Sequence, residues 1–287
     1  MPVYKRHLPG VAALMLLLVV LWVWARSLPG EEYKGRETFT VTALPVGKAD
    51  ALIAETEGQV ILIDAGEEGD GEKVVSALRA RGIGRIDLFL VTHFDKDHVG
   101  GAAYVMEQME VSEVLLPDYE GDRPEYLAFL ACLQGHPKVR RLTEPWKEAL
   151  GPLEITVYPA EDPEAVKAQG GEYDNDMSLV TSIVYGNRKF LLTGDIEKIR
   201  MEQMLAGDVD WRHDWIKMPH HGRYVSTLGD LLEAVSPKAA VICCSEKHPA
   251  EEETLALLEE YQIQVWDTAK QAVVTVCDGD RITTDYQ

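Results

Sequence analysis

The chain has 287 residues, 46% of them hydrophobic, and sets 28 Lys and Arg against 48 Asp and Glu for a formal charge of -20. Such a composition buries a sizeable core, which excludes disorder as the default, and its negative balance argues against a protein that grips nucleic acid through broad positive surfaces. The four cysteines, Cys132, Cys243, Cys244 and Cys277, form no C-x-x-C pair, so a structural zinc of the usual spacing and a disulfide framework are both excluded.

In chain order, the first feature is Leu8 to Ala25, "LPGVAALMLLLVVLWVWA", 18 residues without a charge that follow Lys5 and Arg6. This length sits at the lower edge for a bilayer span of about 20 residues. Trp22 and Trp24, near its end, suit a membrane interface. The stretch reads as an uncleaved anchor, single-pass, with a cleaved signal peptide at "ARS" (25–27) as the alternative. Under either reading the charges at Lys5 and Arg6 place the rest of the chain outside the cytoplasm. Residues 1–35 are thus anchor or signal plus linker, and 36–287 are the working domain.

Beyond the linker, "TFTVTAL", "ALIAET" and "QVILIDAG" follow at hairpin spacing and predict three antiparallel strands. Strands and helices then alternate: a helix over "EKVVSALRARG", a strand over "IDLFLVTH", a helix over "GGAAYVMEQME", a strand over "EVLLP" and a helix over "EYLAFLACLQG". The second half repeats the style. Strands are expected over "LEITVYP", "SLVTSIVYG" and "KFLLTGD", a helix over "IEKIRMEQMLAG", strands over "DWIKMP" and "AAVICC", a helix over "PAEEETLALLEEYQ" and a closing strand over "VVTVCDG". One layered α/β domain in two similar halves fits this order.

Chemistry concentrates where "IDLFLV" runs into "VTHFDKDHVGG". His93, Asp95, Asp97 and His98 lie in the loop at a strand's C-terminal end, where open α/β sheets place their sites. Their nitrogen and oxygen donors suit zinc, manganese or iron, and Gly100 and Gly101 permit the tight turn that would aim them at one point. Two distant fragments deliver the same residue types from strand ends: "KFLLTGD" ends at Asp195, and "IKMPHHG" carries His220 and His221. Taken singly, an Asp195 is a turn residue and a histidine pair is surface; together with the loop they describe one metal centre.

H-x-D-x-D-H-x-G-G, the earlier "LIDAG", "TGD" and "PHHG" occur in the order found in metallo-beta-lactamase-fold hydrolases. With "LPVGKADALI", "NDMSLVTSIVYGNRKFLLTGD" and "SPKAAVICCSEKHP", the chain resembles in particular the C-terminal hydrolase domain of the competence protein ComEC and its free-standing relatives, over about residues 38 to 285. The resemblance implies an αββα sandwich with two divalent metal ions, zinc or manganese, at one edge of the paired sheets. On this pattern His93 and Asp95 would hold the first ion, Asp97 and His98 the second. Asp195 would bridge both, His221 would complete the second site, and Asp64 would support the loop.

The chain departs from the wider family at Asp95, where histidine is common, and it lacks the intervening histidine ligand. His136 comes too early and reads as a surface loop residue; "YDNDMSL" occupies the matching segment, so Asp174, Asn175 or Asp176, with Ser178, would stand near the first ion. An oxygen-rich site raises manganese beside zinc. Arg223 replaces a usual serine and would meet a phosphate or form a surface ion pair. The implied chemistry is hydrolysis by a metal-bound hydroxide, oriented by Asp97, with His220 or His248 protonating the leaving group. A phosphodiester is the expected substrate, in nucleic acid or a phosphoryl-bearing envelope component, although the net charge disfavours nucleic acid. A carbonyl substrate (lactone, thioester or β-lactam) and a non-catalytic binding protein are the alternatives.

Overall fold

Alternating burial sets up the first strands. In the computed structural model, which describes residues 37–169 and 172–287, β1 (Phe39–Ala43), β2 (Leu52–Thr56) and β3 (Gln59–Ile63) form the expected antiparallel meander. The β2–β3 hairpin closes with Thr56 opposite Gln59, and Gly58 (φ 97°) supplies the positive φ that so short a turn requires. After β3 the connections become crossovers. Helix α1 (Gly71–Ala80) and the short β4 (Arg85–Ile86) lead to β5 (Leu88–Leu90), which runs parallel to β3. Helices α2 (Lys96–Val99) and α3 (Ala102–Gln108) and strand β6 (Glu110–Val111) lead to β7 (Val114–Pro117). Helix α4 (Pro124–Cys132) leads to β8 (Val139–Leu142), and β5, β7 and β8 are all parallel.

The second half follows the same plan. Strands β9 (Trp146–Leu150), β10 (Leu153–Tyr158), β11 (Val180–Tyr185) and β12 (Arg188–Leu192) form an antiparallel meander, with α5 (Pro163–Gln169) and α6 (Tyr173–Asp176) between β10 and β11. Parallel crossovers then take over: α7 (Lys198–Ala206), β13 (Trp215–Lys217), α8 (Leu228–Val235), β14 (Ala239–Ile242), α9 (Glu252–Glu260) and β15 (Gln264–Asp267). The chain returns to the first sheet through β16 (Val273–Cys277), antiparallel to β1, and β17 (Ile282–Tyr286). The two large sheets read β17-β16-β1-β2-β3-β5-β7-β8 and β15-β14-β13-β12-β11-β10-β9, and β4 and β6 pair with each other.

Side-chain alternation sorts the interior into three apolar layers. Ile61 and Ile63 of β3 face the second sheet and pack with Phe190, Leu192 and Trp215, while Leu62 between them faces helix α1 at Val74 and Leu78. On the far side, Leu191, Ile216 and Ile242 pack against Met201, Leu231, Leu232 and Val235 from helices α7 and α8. The order is helix, sheet, sheet, helix, as the resemblance implies. Because both faces of the central strands are covered, they read as nearly continuous apolar runs.

Strands β8, β9, β15 and β17, absent from the sequence reading, are the outermost strands of the two sheets, and "VVTVCDG" is followed by β17 rather than closing the chain. Each is largely uncovered, and VRRL, WKEAL, QVWD and ITTDY neither alternate apolar with polar residues nor form an apolar run, so none carries a strand signature in the sequence. Helix α8 is also new; it buries Leu228, Leu231, Leu232 and Val235 at helical spacing. The anchor or signal expected at residues 8–25 lies outside the described residues, and among the described residues no helix is long and apolar enough to cross a membrane.

Trp215 links the sheets: beside Phe190 of its own sheet (centroids 5.8 Å apart), it donates its indole N–H across the interior to Thr275 Oγ1 of β16 at 3.0 Å. Trp215→Ala is expected to cost about 3–5 kcal/mol, and Trp215→Phe, which leaves the Thr275 hydroxyl without its indole donor, about 1 kcal/mol. Denaturant unfolding measures both, and a cost below 1 kcal/mol for the alanine variant would contradict this role.

Candidate metal centre

Four strand ends supply the side chains at one edge of the sandwich. Asp64 follows β3, His93 follows β5, Asp195 follows β12, and His220 and His221 follow β13. Asp64 (φ 55°), His220 (φ 43°) and His221 (φ 55°) all hold left-handed backbone conformations, which cost of order 1–3 kcal/mol each and persist where surrounding bonds over-determine them. Gly100 and Gly101 have ordinary helical backbone angles. Their role is close approach: a Cβ on Gly101 would lie 2.2 Å from the Ala65 carbonyl oxygen, and one on Gly100 would lie 2.6 Å from the Glu67 backbone.

Each histidine is held by its Nδ1. His98 Nδ1 donates to Asp64 Oδ2 at 2.8 Å, His221 Nδ1 to the Cys243 carbonyl at 2.8 Å, and His220 Nδ1 to Glu197 Oε1 at 2.7 Å. His93 Nδ1 lies 3.1 Å from Thr92 Oγ1 and 3.2 Å from Ser178 Oγ. Asp64 is itself fixed by the Thr92 amide and hydroxyl, each at 2.7 Å. This is the arrangement that sets tautomer and ring orientation for metal binding through Nε2.

The Nε2 atoms of His93, His98 and His221 are buried and have no aligned hydrogen-bond partner. They converge on carboxylates. Asp195 Oδ2 lies 3.2 Å from His98 Nε2, 3.1 Å from His221 Nε2 and 3.9 Å from His220 Nε2. Asp97 Oδ2 is 3.4 Å from His221 Nε2, and Asp95 Oδ2 is 3.9 Å from His93 Nε2. Donors that share a tetrahedral ion at 2.0–2.1 Å stand about 3.3 Å apart. The spacing and the orphaned nitrogens therefore fit divalent cations. Donor atoms of Asp50, His98, Asp195 and His221 all lie within 4.8 Å of one another.

Charge tells the same story. Burial works against ionised Asp195, yet His221, His98 and Lys217 hold it well below the usual carboxylate range. Burial likewise opposes protonation of His98 and His221, but Asp195 and its neighbouring carboxylates win: His98 is pushed well up and His221 to about 9. His93 goes the other way, lowered by burial and by His98. Protonated imidazoles thus supply positive charge that the carboxylates demand and that divalent cations would also supply.

Several expected residues stand elsewhere. Asp176 Oδ1 accepts the amides of Glu197 and Arg200 and so caps α7. Asn175 reaches Glu197 at 3.4 Å and His220 Nδ1 at 3.5 Å. Asp174 is half-buried beside Asp95 and Arg123, and burial, then Asp95, raises its pKa. None of these three contacts His93 by hydrogen bond or ion pair, whereas Ser178 does and also accepts the Asp195 amide. Asp95 is partly exposed and paired with Arg123 at 2.8 Å. Arg223 donates to Glu197 at 3.0 Å, outside the histidine cluster. His248 is exposed; its backbone closes a turn with Ser245, and its ring takes no part in the cluster. His136 is outside it too, with Nε2 on the Val111 carbonyl.

Four residues at the site escaped the sequence reading: Asp50, Thr92, Glu197 and Lys217. Lys217 pairs with Asp50 and lies 3.3 Å from Asp195 Oδ1. Asp50 sits behind the rings, its carboxylate 3.5 Å from His221 Nδ1 and 3.9 Å from His98 Nδ1. The available signal was slight: Asp50 in "KADALIA" and Lys217 in "DWIKMP" are single charges of opposite sign at the edge of apolar runs, each with another charge two or three positions before it.

Residues 44–246 match the family described as the metallo-beta-lactamase superfamily. The chain is 25% identical over 219 residues to ComE operon protein 3 of Bacillus subtilis, covering 75% of this chain and 27% of that protein. It is 26% identical over 253 residues to Recombination protein 2 of Haemophilus influenzae, covering 84% and 29%. It thus spans less than a third of either relative. In fold it is similar to the metallo-beta-lactamase fold protein YhfI of Bacillus subtilis, with a TM-score of 0.54 and 12% identity over 84% of this chain and all of that one.

Asp64→Asn replaces one carboxylate oxygen with an N–H donor, which meets either the Thr92 amide or the Thr92 hydroxyl and His98 Nδ1, all of which need an acceptor. It is expected to weaken binding of zinc or manganese by about ten- to a hundred-fold. Isothermal titration of both proteins checks this, and equal affinities would remove Asp64 from the support of His98.

Proposed function

The chain belongs to the metallo-beta-lactamase superfamily, and from that premise we propose that it is a metal-dependent hydrolase of a phosphodiester, working outside the cytoplasm from an N-terminal membrane anchor. The observation that carries the hydrolase reading is the convergence of two orphaned imidazole nitrogens, those of His98 and His221, on Asp195, with the orphaned nitrogen of His93 facing Asp95 beside them. When bound, the cations would lower the pKa of a water toward neutrality and polarise the scissile group.

The chain's own residues supply the remaining functions. His93, Asp95 and Asp195 would hold one ion, and Asp97, His98, His221 and Asp195 the other. Asp97, its carboxylate held low against the opposition of burial by His221 and His98, would accept a hydrogen bond from the attacking water. His220 stands at the rim, with Nδ1 on Glu197 and Nε2 toward Asp195, in position to protonate a leaving oxygen. His248, exposed in the structure, has no step here.

Two features favour a phosphodiester over a carbonyl substrate. The donor set is rich in carboxylates, and half-exposed Arg123 and Arg223 each hold one carboxylate at the rim while keeping N–H donors for phosphoryl oxygens. The name of one relative, Recombination protein 2, points in the same direction. The net charge of -20 limits any hold on nucleic acid to a local groove. The extracytoplasmic location rests on residues 8–25 and the charges before them.

The test is a substrate panel of bis(p-nitrophenyl) phosphate, single-stranded DNA and lactones, run with zinc and with manganese. Turnover of a phosphodiester is expected, and Asp195→Ala should reduce it roughly a thousand-fold or more with the circular dichroism spectrum unchanged. Turnover confined to lactones would refute the substrate class, and wild-type rates in the variant would refute the role of Asp195.

A further inference from the structure

Lys217 is the buried charge at the site that the proposed reaction does not use. It ends β13 with its side chain 1% exposed, and its ammonium has three partners: the Asp50 carboxylate, the Gly194 carbonyl at 3.0 Å and Asp195 Oδ1 at 3.3 Å. An ammonium has three N–H donors, so the group is saturated. A cation is a costly choice here. It must be desolvated, and its charge repels the divalent ions that the neighbouring histidines and carboxylates fit. An apolar chain of similar length would avoid both costs but leave Asp50 buried without a counter-charge, and beyond that counter-charge lysine supplies something that methionine cannot.

What it supplies is occupation of one oxygen of Asp195. Oδ1 faces the ammonium, and Oδ2 alone faces the imidazole nitrogens of His98, His221 and His220. The same ammonium holds the carbonyl of Gly194, whose φ of 55° turns the strand end. Asp50, its partner, is tied through its backbone to the loops of the first half of the chain: its amide donates to the Asp97 carbonyl at 3.0 Å and its carbonyl accepts the Gly66 amide at 2.8 Å. Asp50, Lys217 and Asp195 therefore form a strut between the loop of Asp97 and His98 and the strand ends that carry Asp195 and His221.

We propose that Lys217, clamped by Asp50, is a positioning residue that restricts Asp195 to a single oxygen, Oδ2, as the bridge between two cations. This rests on the metal reading of the site given above. With Lys217 absent, both oxygens of Asp195 are free to chelate one ion, and the second ion loses its shared ligand.

Electrostatics alone and positioning give opposite signs, and this makes the test decisive. Removing a positive charge beside a cation site strengthens divalent binding if charge is all that Lys217 contributes. Positioning predicts the reverse: Lys217→Met binds the second zinc or manganese ion at least tenfold more weakly, or binds one ion where wild type binds two. Because that variant leaves Asp50 buried without its counter-charge, the charge-neutral pair Asp50→Asn/Lys217→Met is measured beside it, with circular dichroism as the check on folding. Equilibrium dialysis of the purified full chain with zinc and with manganese gives stoichiometry and affinity. Two ions in wild type and one, or a weakened second, in the folded pair variant supports the proposal. Two ions of equal or higher affinity in the pair variant overturns it while leaving the hydrolase reading intact. Wild type that binds no ion overturns both.

Discussion

Three carboxylates, Asp50, Asp64 and Asp195, are shut away from water at one edge of the sandwich, and the arrangement around them follows from the need to compensate their charge. An ionised group moved into the interior loses several kcal/mol of hydration, so it persists where counter-charges and aligned donors replace the water. Asp64 meets this with hydrogen bonds from Thr92 and His98, and Asp50 with Lys217. Asp195 is shared among Lys217 on one oxygen and imidazoles on the other. Its Oδ2 approaches His98 and His221 within ion-pair distance, yet those nitrogens lack aligned hydrogen bonds. That combination of close approach and poor alignment suits ligands of a common cation better than partners of one another.

The strained backbone belongs to the same design. Asp64, His220 and His221 hold positive φ without being glycine, and each is pinned by bonds that a relaxed conformation would break. Two consecutive left-handed residues turn the chain sharply after β13. The turn points neighbouring rings to different tasks, His221 inward to Asp195 and Asp97 and His220 to the rim beside Glu197. An ordinary extended exit from the strand would alternate the two side chains to opposite faces, and one would leave the site. The strain is thus the condition for using both histidines.

What the sequence displayed, and what it hid, divides along physical lines. Interior strands with both faces covered are apolar throughout, and they were legible; the outer strands β8, β9, β15 and β17 have one side or less to bury and looked like loops. The metal loop was legible because four donor residues stand within six positions, and Asp195 and His221 because each ends an apolar run. Asp50 and Lys217 were not, since a lone charge announces nothing until its partner is known, and 167 positions separate these two. Asp176 and Glu197 show how a supporting role is disclosed by contacts alone. "YDNDMSL" reads as a segment near the first ion, and in it Asp176 holds the start of α7 and thereby the Glu197 that orients His220.

The topology explains why these particular residues meet. In each sheet one strand is antiparallel to the neighbour before it and parallel to the neighbour after it: β3 lies between β2 and β5, and β12 lies between β11 and β13. Parallel neighbours present their C-terminal ends at the same edge, and Asp64, His93, Asp195 and the histidine pair all come from there. The antiparallel neighbour presents its beginning at that edge. Asp50 just precedes β2 and Ser178 just precedes β11, and these are residues that brace Lys217 in one half and the His93 ring in the other. The switch from antiparallel to parallel pairing therefore assigns roles by position. Strand ends at the switch carry the donors that face the cations, and the start of the antiparallel strand beside them carries a group that holds those donors in place.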